Sequence, residues 1–244
     1  VRANAAQTML FCPSVRSIEV IDDVNHTTFK ITRKNNDESK NSVKETIFVE
    51  ESSNKAESVI RRFISIEVEE YSKEISSHWK ATNRNLRLHI AVEVDKENNI
   101  LPIPSSSPSV YCSLPLIGFE SMTLPFYINS NDFEPTTERI SLFLKKKRFE
   151  YHSNENTGED ELFYLKNGIN WAILERAIPL YEKVVDYLID NNYNQRYNLI
   201  NGLGNILNGA WETETKNCLA SRLIVPLRNM LVKKNLVETA KGYR

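Results

Sequence analysis

Glycine is scarce in this chain: there are seven in 244 residues, and none is arranged as a glycine-rich loop that could cradle a phosphate. The three cysteines, Cys12, Cys112 and Cys218, are far apart and odd in number. Neither a disulfide framework nor a zinc motif follows from that spacing, which points to a reducing, cytoplasmic setting. No apolar run approaches the roughly 18 residues that a membrane span needs, and no signal-peptide pattern is visible. Neither sign of charge dominates, and a net charge of −1 supplies no global drive towards nucleic acid or an anionic membrane. The four histidines, His26, His78, His89 and His152, show no metal-ligand spacing. A Gly-x-Ser-x-Gly elbow is missing too, and no cysteine has a histidine at a diagnostic interval, so hydrolase chemistry has no support.

What remains is ordinary globular material, with 26% charged and 41% apolar residues. The length allows one or two domains and a sizeable core. The chain opens on Val1 and passes at once into structured-looking sequence, which reads as an internal piece of a longer protein.

Alternation of apolar and polar residues predicts strands over residues 17–21, 27–33, 43–49, 59–68 and 86–94, although the Glu and Arg content of residues 59–68 would also permit a helix. In the third, Val43, Glu45, Ile47 and Val49 share a side, and the charge at Glu45 suggests an edge strand. His89, on the last of these, reads as a satisfied structural histidine. A short helix is expected over residues 72–80, and a proline- and serine-rich loop over residues 101–109. From Ile169 the period changes: Trp171, Leu174, Ile178, Tyr181 and Val185 recur at helical steps, with Pro179 expected to kink or divide the helix. Further helices are expected over residues 194–206 and 213–231, the last interrupted by Pro226, before a turn and a closing strand. Asn201-Gly202-Leu203-Gly204 reads as a helix–helix turn, since it follows no strand and lacks a third glycine. Hairpins followed by helices give an α+β layout with a mainly antiparallel sheet. The expected division is a β-rich unit over residues 1–165 and a helical segment over residues 166–244.

The most informative stretch is VYCSLPLIGFESMTLPFYINSNDFEPTTERISLFLKKK, from Val110 to Lys147. Its Leu114-Pro115 and Leu124-Pro125 pairs force extended backbone, because the proline ring crowds the preceding residue out of the helical region. Residues 124–128 then read as a strand ending at Asn129. Ser130, Asn131, Asp132 and Pro135 form a loop, and Thr136 or Thr137 would cap a short helix carrying Arg139 in its first turn.

This order of elements resembles the stretch of sacsin-type proteins in which CFLPLP precedes GLPVHVNGxFxLxxxRR. More distantly it resembles the LPLNxSRE segment in the middle domain of the ninety-kilodalton heat-shock chaperones. Both belong to the GHKL ATPases, in which an ATP-binding domain is followed by a transducer domain. The resemblance implies a transducer-type domain whose Arg139 reaches the terminal phosphate of a nucleotide held upstream, with Asn129 at the strand end, where it would hold the loop or contact the nucleotide. The family's Asn-Gly is Asn129-Ser130 here, and its paired arginines are Glu138-Arg139. ATP and Mg2+ would belong to the full-length protein. This fragment would hold no cofactor and hydrolyse nothing alone. The implied partners are the upstream ATP-binding domain, protein clients of a chaperone and a second copy in a homodimer.

Each candidate also has a plain alternative. Arg139 could be a surface arginine paired with Glu138 or Glu134, and Asn129 could be a strand-end Asn satisfying its own backbone. Lys145, Lys146, Lys147 and Arg148 form a dense basic run that reads as a solvated face, because no aromatic platform accompanies it. A different class is suggested by the chain's end. A helix over residues 213–231 followed by LVKKNLVETAKGYR has the outline of a winged helix, with Lys233, Lys234, Lys241 and Arg244 facing phosphates. A protein-interaction scaffold is a third reading.

Overall fold

The computed structural model describes residues 4–35, 41–54, 57–71, 85–144, 158–239 and 242–243. A short helix, α1 (Ala5–Phe11), precedes five strands that form a meander: β1 (Ser17–Asp22), β2 (Thr27–Arg33), β3 (Val43–Ser52), β4 (Val59–Tyr71) and β5 (Asn85–Val94). Three short strands follow, β6 (Val110–Cys112), β7 (Leu114–Pro115) and β8 (Tyr127–Asn129). The sheet order is β1-β2-β3-β4-β5-β8-β6-β7, antiparallel throughout except for the β6–β8 pair. This is an α+β fold with a mainly antiparallel sheet, as the alternation of apolar residues predicted.

Strand periodicity divides the residues between two faces. Ile64, Ile66, Leu88, Ile90, Val110 and Ile128 point to one, where they pack with the helical segment in a single apolar cluster. That segment is α2 (Gly158–Asp190), α3 (Thr213–Leu219) and α4 (Val225–Leu231), followed by the short strands β9 (Glu238–Thr239) and β10 (Gly242–Tyr243). Trp171 of α2 is fully buried there, with the Arg222 guanidinium 4.5 Å from its ring centroid and tied to Glu175 at 2.7 Å. On the other face Phe29, Phe48, Phe63, Tyr111 and Tyr127 lie beneath α1. Ala5 and Ala6 are small enough to let that helix sit close, and Gln7 Nε2 donates to the Tyr127 hydroxyl at 3.1 Å.

Several local expectations need correction. β3 is not an edge strand, since it pairs with β2 on one side and β4 on the other. Its more buried side is Lys44, Thr46 and Phe48, not the Val43–Glu45 side, and Glu45 instead accepts from Arg62 Nε at 2.5 Å. Pro179 lies inside α2, which continues through it as one helix. Before Pro226 the chain widens into a π-type turn at Ala220–Ile224, so α3 and α4 follow one another without a break. That widening gives the proline ring the room an α-helical turn denies it. Residues 194–206 form no α-helix. They contain the 3₁₀ turn Arg196–Ile200 and lead into a second at Ile206–Asn208, with the glycine-containing turn between. The helix expected over residues 72–80 and the basic run at Lys145–Arg148 lie outside the described residues. Among the described residues no helix is long and apolar enough to cross a membrane.

Candidate functional site

The site is built on the reversal between β6 and β7. Cys112 pairs with Leu114, so Ser113 alone makes the turn, at a φ of 62° in the left-handed region. A non-glycine residue is held there only when its surroundings over-determine it. Three groups do so. Ser113 N–H donates to Asn129 Oδ1 at 2.8 Å, and its hydroxyl donates to Asn131 Oδ1 at 2.8 Å. Its carbonyl accepts from the Cys12 thiol at 3.5 Å.

Asn129 ends β8 and is 7% exposed. Of the two roles the sequence offered it, loop-holding is the one its Oδ1 performs. The residues that follow are tied down in the same way. Ser130 Oγ donates to the Arg87 carbonyl at 2.7 Å, and Asp132 Oδ2 accepts from Arg87 N–H at 3.0 Å. A polar loop of this kind is therefore a fixed platform, with side chains satisfying the backbone where the β-ladder ends.

Arg139 is not in a helix. The expected cap residue, Thr136, instead starts a reverse turn in which Arg139 N–H donates to the Thr136 carbonyl at 2.8 Å. Thr136 N–H to Ser141 O at 2.9 Å and a bridge between Pro135 and Leu142 close the loop. Pro135 favours extended backbone at its predecessor, and the closing bridge takes the place of a helical turn. Arg139 occupies the tip with a φ of 55° and an exposed side chain. Its Nη2 donates to the Cys112 carbonyl at 2.9 Å. No ion pair to Arg139 is found among the described residues, and Glu134 faces Lys166 Nζ at 3.7 Å instead. The pairing with Glu138 or Glu134 that would have made it an ordinary surface arginine does not form.

The base of this loop is held from α2. Asn170, 0% exposed, accepts from Glu134 N–H at 2.8 Å and donates to the carbonyls of Glu134 at 2.8 Å and Phe143 at 3.1 Å. One amide thus clamps both limbs of the loop to the helix. Sequence reasoning missed Asn170 and Ser113. A signal for the first existed in Asn167 and Asn170, two poor helix formers three residues apart within an apolar helical run.

The cysteines beside the site are not nucleophiles in waiting. Burial pushes the Cys112 thiol up from its ordinary value, with Arg139 opposing part of that shift. Burial raises Cys12 likewise, opposed in part by Arg33. Raised thiol pKa values favour the unreactive protonated form. His89 differs from expectation. It is buried with Nε2 lacking any hydrogen-bond partner, and its ring meets Phe11 edge-on at 5.1 Å. Among the described residues no group of three His, Cys, Asp or Glu side chains is placed to hold a metal ion.

Comparison with family models, with curated proteins and with solved structures returned no match.

Proposed function

We propose that this chain is the transducer part of a GHKL-type ATPase of the sacsin and heat-shock-chaperone kind, and that Arg139 is the cation it offers to a nucleotide held by an upstream domain of the same protein. One observation carries the reading: Arg139 stands exposed at the tip of an anchored loop, its Nη2 on the Cys112 carbonyl and no ion pair to it among the described residues. A guanidinium has five N–H donors in a fixed fork suited to phosphate oxygens. The backbone around the cation is over-determined, so little ordering is needed when a phosphate arrives.

In this reading ATP and Mg2+ are held by the other domain, and the described residues contribute the cation and its mounting. Arg139 would neutralise charge on the terminal phosphoryl group, an effect worth on the order of 10³-fold or more in rate where an arginine is supplied in this way. Movement of the loop would pass to α2 through Asn170, since that side chain binds both limbs. Chaperone clients and a homodimer would follow from membership of that class.

The test uses the full-length protein with Arg139→Ala. Turnover of ATP is expected to fall about 10³-fold while ATP affinity stays within about threefold. Unchanged turnover would sink the assignment. The nucleic-acid reading has one feature in its favour, the hairpin that follows α4. Against it, Lys234 is already neutralised by Asp186 at 2.7 Å and Glu182 at 2.9 Å.

A further inference from the structure

The end of the helical segment carries a preformed apolar groove of about 590 Å3. Its floor is Leu203, Leu231 and Leu236, all buried. Its walls are Ile200, Val232 and Val237, which are 42%, 79% and 51% exposed. Isolated exposed valines and isoleucines are common on any surface, but three converging on one depression with a leucine floor are not scattered.

The groove is held open by polar anchors beneath it. Lys234 bonds Asp186 at 2.7 Å and Glu182 at 2.9 Å on α2, and Arg196 donates to the Asn235 carbonyl at 3.5 Å. Leu236 N–H closes a tight turn onto the Lys234 carbonyl at 3.0 Å. These contacts turn Lys234 inward and leave Val232 and Lys233 outward. Arg228, one turn back along α4, lines the same groove. Arg228 and Lys233 are exposed and have no ion-pair partner among the described residues. The trough is therefore lined by one uncommitted cation, Arg228, with Lys233 next in sequence to the wall residue Val232, and its lining holds no carboxylate.

We propose that this groove docks an acidic amphipathic segment of a partner polypeptide, whose apolar residues enter the trough and whose carboxylates meet Arg228 and Lys233. Openness decides between this occupant and a small anionic amphiphile. A small ligand's site encloses most of the ligand's surface. Here the wall residues are themselves exposed, Val232 and Val237 by more than half, so one side of any occupant stays in water. That geometry suits a helix laid in a groove, with anchors at i, i+3 or i+4 and i+7 and a solvated outer face. The rim cations supply the sign preference, chiefly through association rate and orientation. The proposal does not depend on the ATPase reading.

Gly204 gives a clean probe. It lines the groove, a Cβ placed on it meets nothing within 4 Å, and its φ lies outside the left-handed region. Gly204→Trp should fill the trough without disturbing the fold, which urea unfolding checks. The ligand is a labelled synthetic helix of about 14 residues, roughly four turns, with Leu at the anchor positions and Glu elsewhere. Its counterpart carries Lys in place of Glu. Fluorescence anisotropy on the intact chain should show the acidic peptide binding at least about tenfold more tightly than the basic one. Gly204→Trp should weaken the acidic peptide about tenfold, and Val232→Glu should do the same by an independent route. Arg228→Glu combined with Lys233→Glu should reverse the preference. Equal binding of the two peptides, or acidic-peptide binding untouched by both groove variants, would overturn the proposal. So would displacement of the peptide by duplex DNA, which would give the rim to phosphates. A doubling of sedimenting mass that Gly204→Trp abolishes would assign the trough to a second copy and overturn it equally.

Discussion

Asn129 and Arg139 hold opposite ends of one peptide group. The amide oxygen of Asn129 accepts from Ser113 N–H at 2.8 Å, and the guanidinium of Arg139 donates to the Cys112 carbonyl at 2.9 Å. The two bonds lie in series through the Cys112–Ser113 peptide, so each polarises the other. They differ in what surrounds them, however. Asn129 is buried, whereas Arg139 is exposed.

That difference predicts unequal costs. Asn129→Ala strands Ser113 N–H in a residue already held at positive φ, and should destabilise the chain by about 1–3 kcal/mol. Arg139→Ala should cost less than about 1 kcal/mol, since it is a surface truncation. Urea midpoints of the two variants and of the double variant measure both costs and the coupling between them. Equal costs would mean that the peptide group is not the shared element.

Asn170 is a heavier dependency. Its amide satisfies one donor and two acceptors on the two limbs of the Arg139 loop, and Leu in its place takes a partner from all three, leaving the Glu134 carbonyl only its 3.5 Å bond from Phe143 N–H. Asn170→Leu should lose on the order of 3 kcal/mol, at the upper end for a buried polar change. Hydrogen exchange separates this from a general loss. Glu134 N–H should lose protection by more than amides in β4 and β5. A uniform loss of protection would deny the amide its clamping role.

The two glycines of the Asn201–Gly204 turn should behave oppositely. Gly202 has a φ of 89°, and a Cβ there would lie 2.6 Å from the Thr123 carbonyl oxygen. That same carbonyl-bearing residue donates its hydroxyl to Gly202 O at 2.8 Å, so the approach cannot relax without losing a hydrogen bond. Gly202→Ala should cost about 1–3 kcal/mol or more, while Gly204→Ala should stay within about 0.5 kcal/mol. Thermal unfolding of the pair compares them directly, and matched melting points would refute the close approach.

How far the sequence foretold these features depends on distance along the chain. The meander was legible because β1 to β5 are regular strands joined in sequence order, and period-two alternation is a local property. Its register was less so. Glu45 misled because Arg62, on the neighbouring strand β4, pairs with its carboxylate, while the stem of Lys44 is buried on the same face as Phe48. The loop carrying Arg139 reads locally as a capped helix, but its closure comes from Pro135, Leu142 and Asn170, the last from a different element. Asn129 and Arg139 were both legible as candidates from the resemblance to the GHKL transducer segment. That they meet on one peptide was not, because the peptide belongs to β6 and its turn rather than to the motif.

His89 sets a pH limit on the fold. It lies on the α1 side of β5, opposite Glu67 on β4, with Lys44 of β3 and Arg33 of β2 near enough to oppose its protonation. Burial first, and those cations second, push its pKa down from the ordinary 6.5 to about 3. Above pH 6.5 the imidazole is neutral in both folded and unfolded chains, and its contribution to stability is complete. As pH falls below 6.5 the unfolded chain takes up a proton that the folded chain refuses, so stability declines by about 1.36 kcal/mol per pH unit until the folded histidine titrates near pH 3. Between pH 6.5 and 4.5 the loss should be roughly 2–3 kcal/mol, a substantial part of a typical domain's stability. Asp95, held below its ordinary value by Asn99 and Glu97 N–H bonds, acts in a lower window, losing its contribution only as pH falls past about the usual carboxylate range. His89→Leu removes the histidine's contribution and keeps an apolar side chain against Phe11. Urea unfolding at pH 7 and 4.5 should therefore show the native chain losing roughly 2–3 kcal/mol more than the variant. Parallel losses in the two proteins would mean that the imidazole takes its proton without leaving the fold.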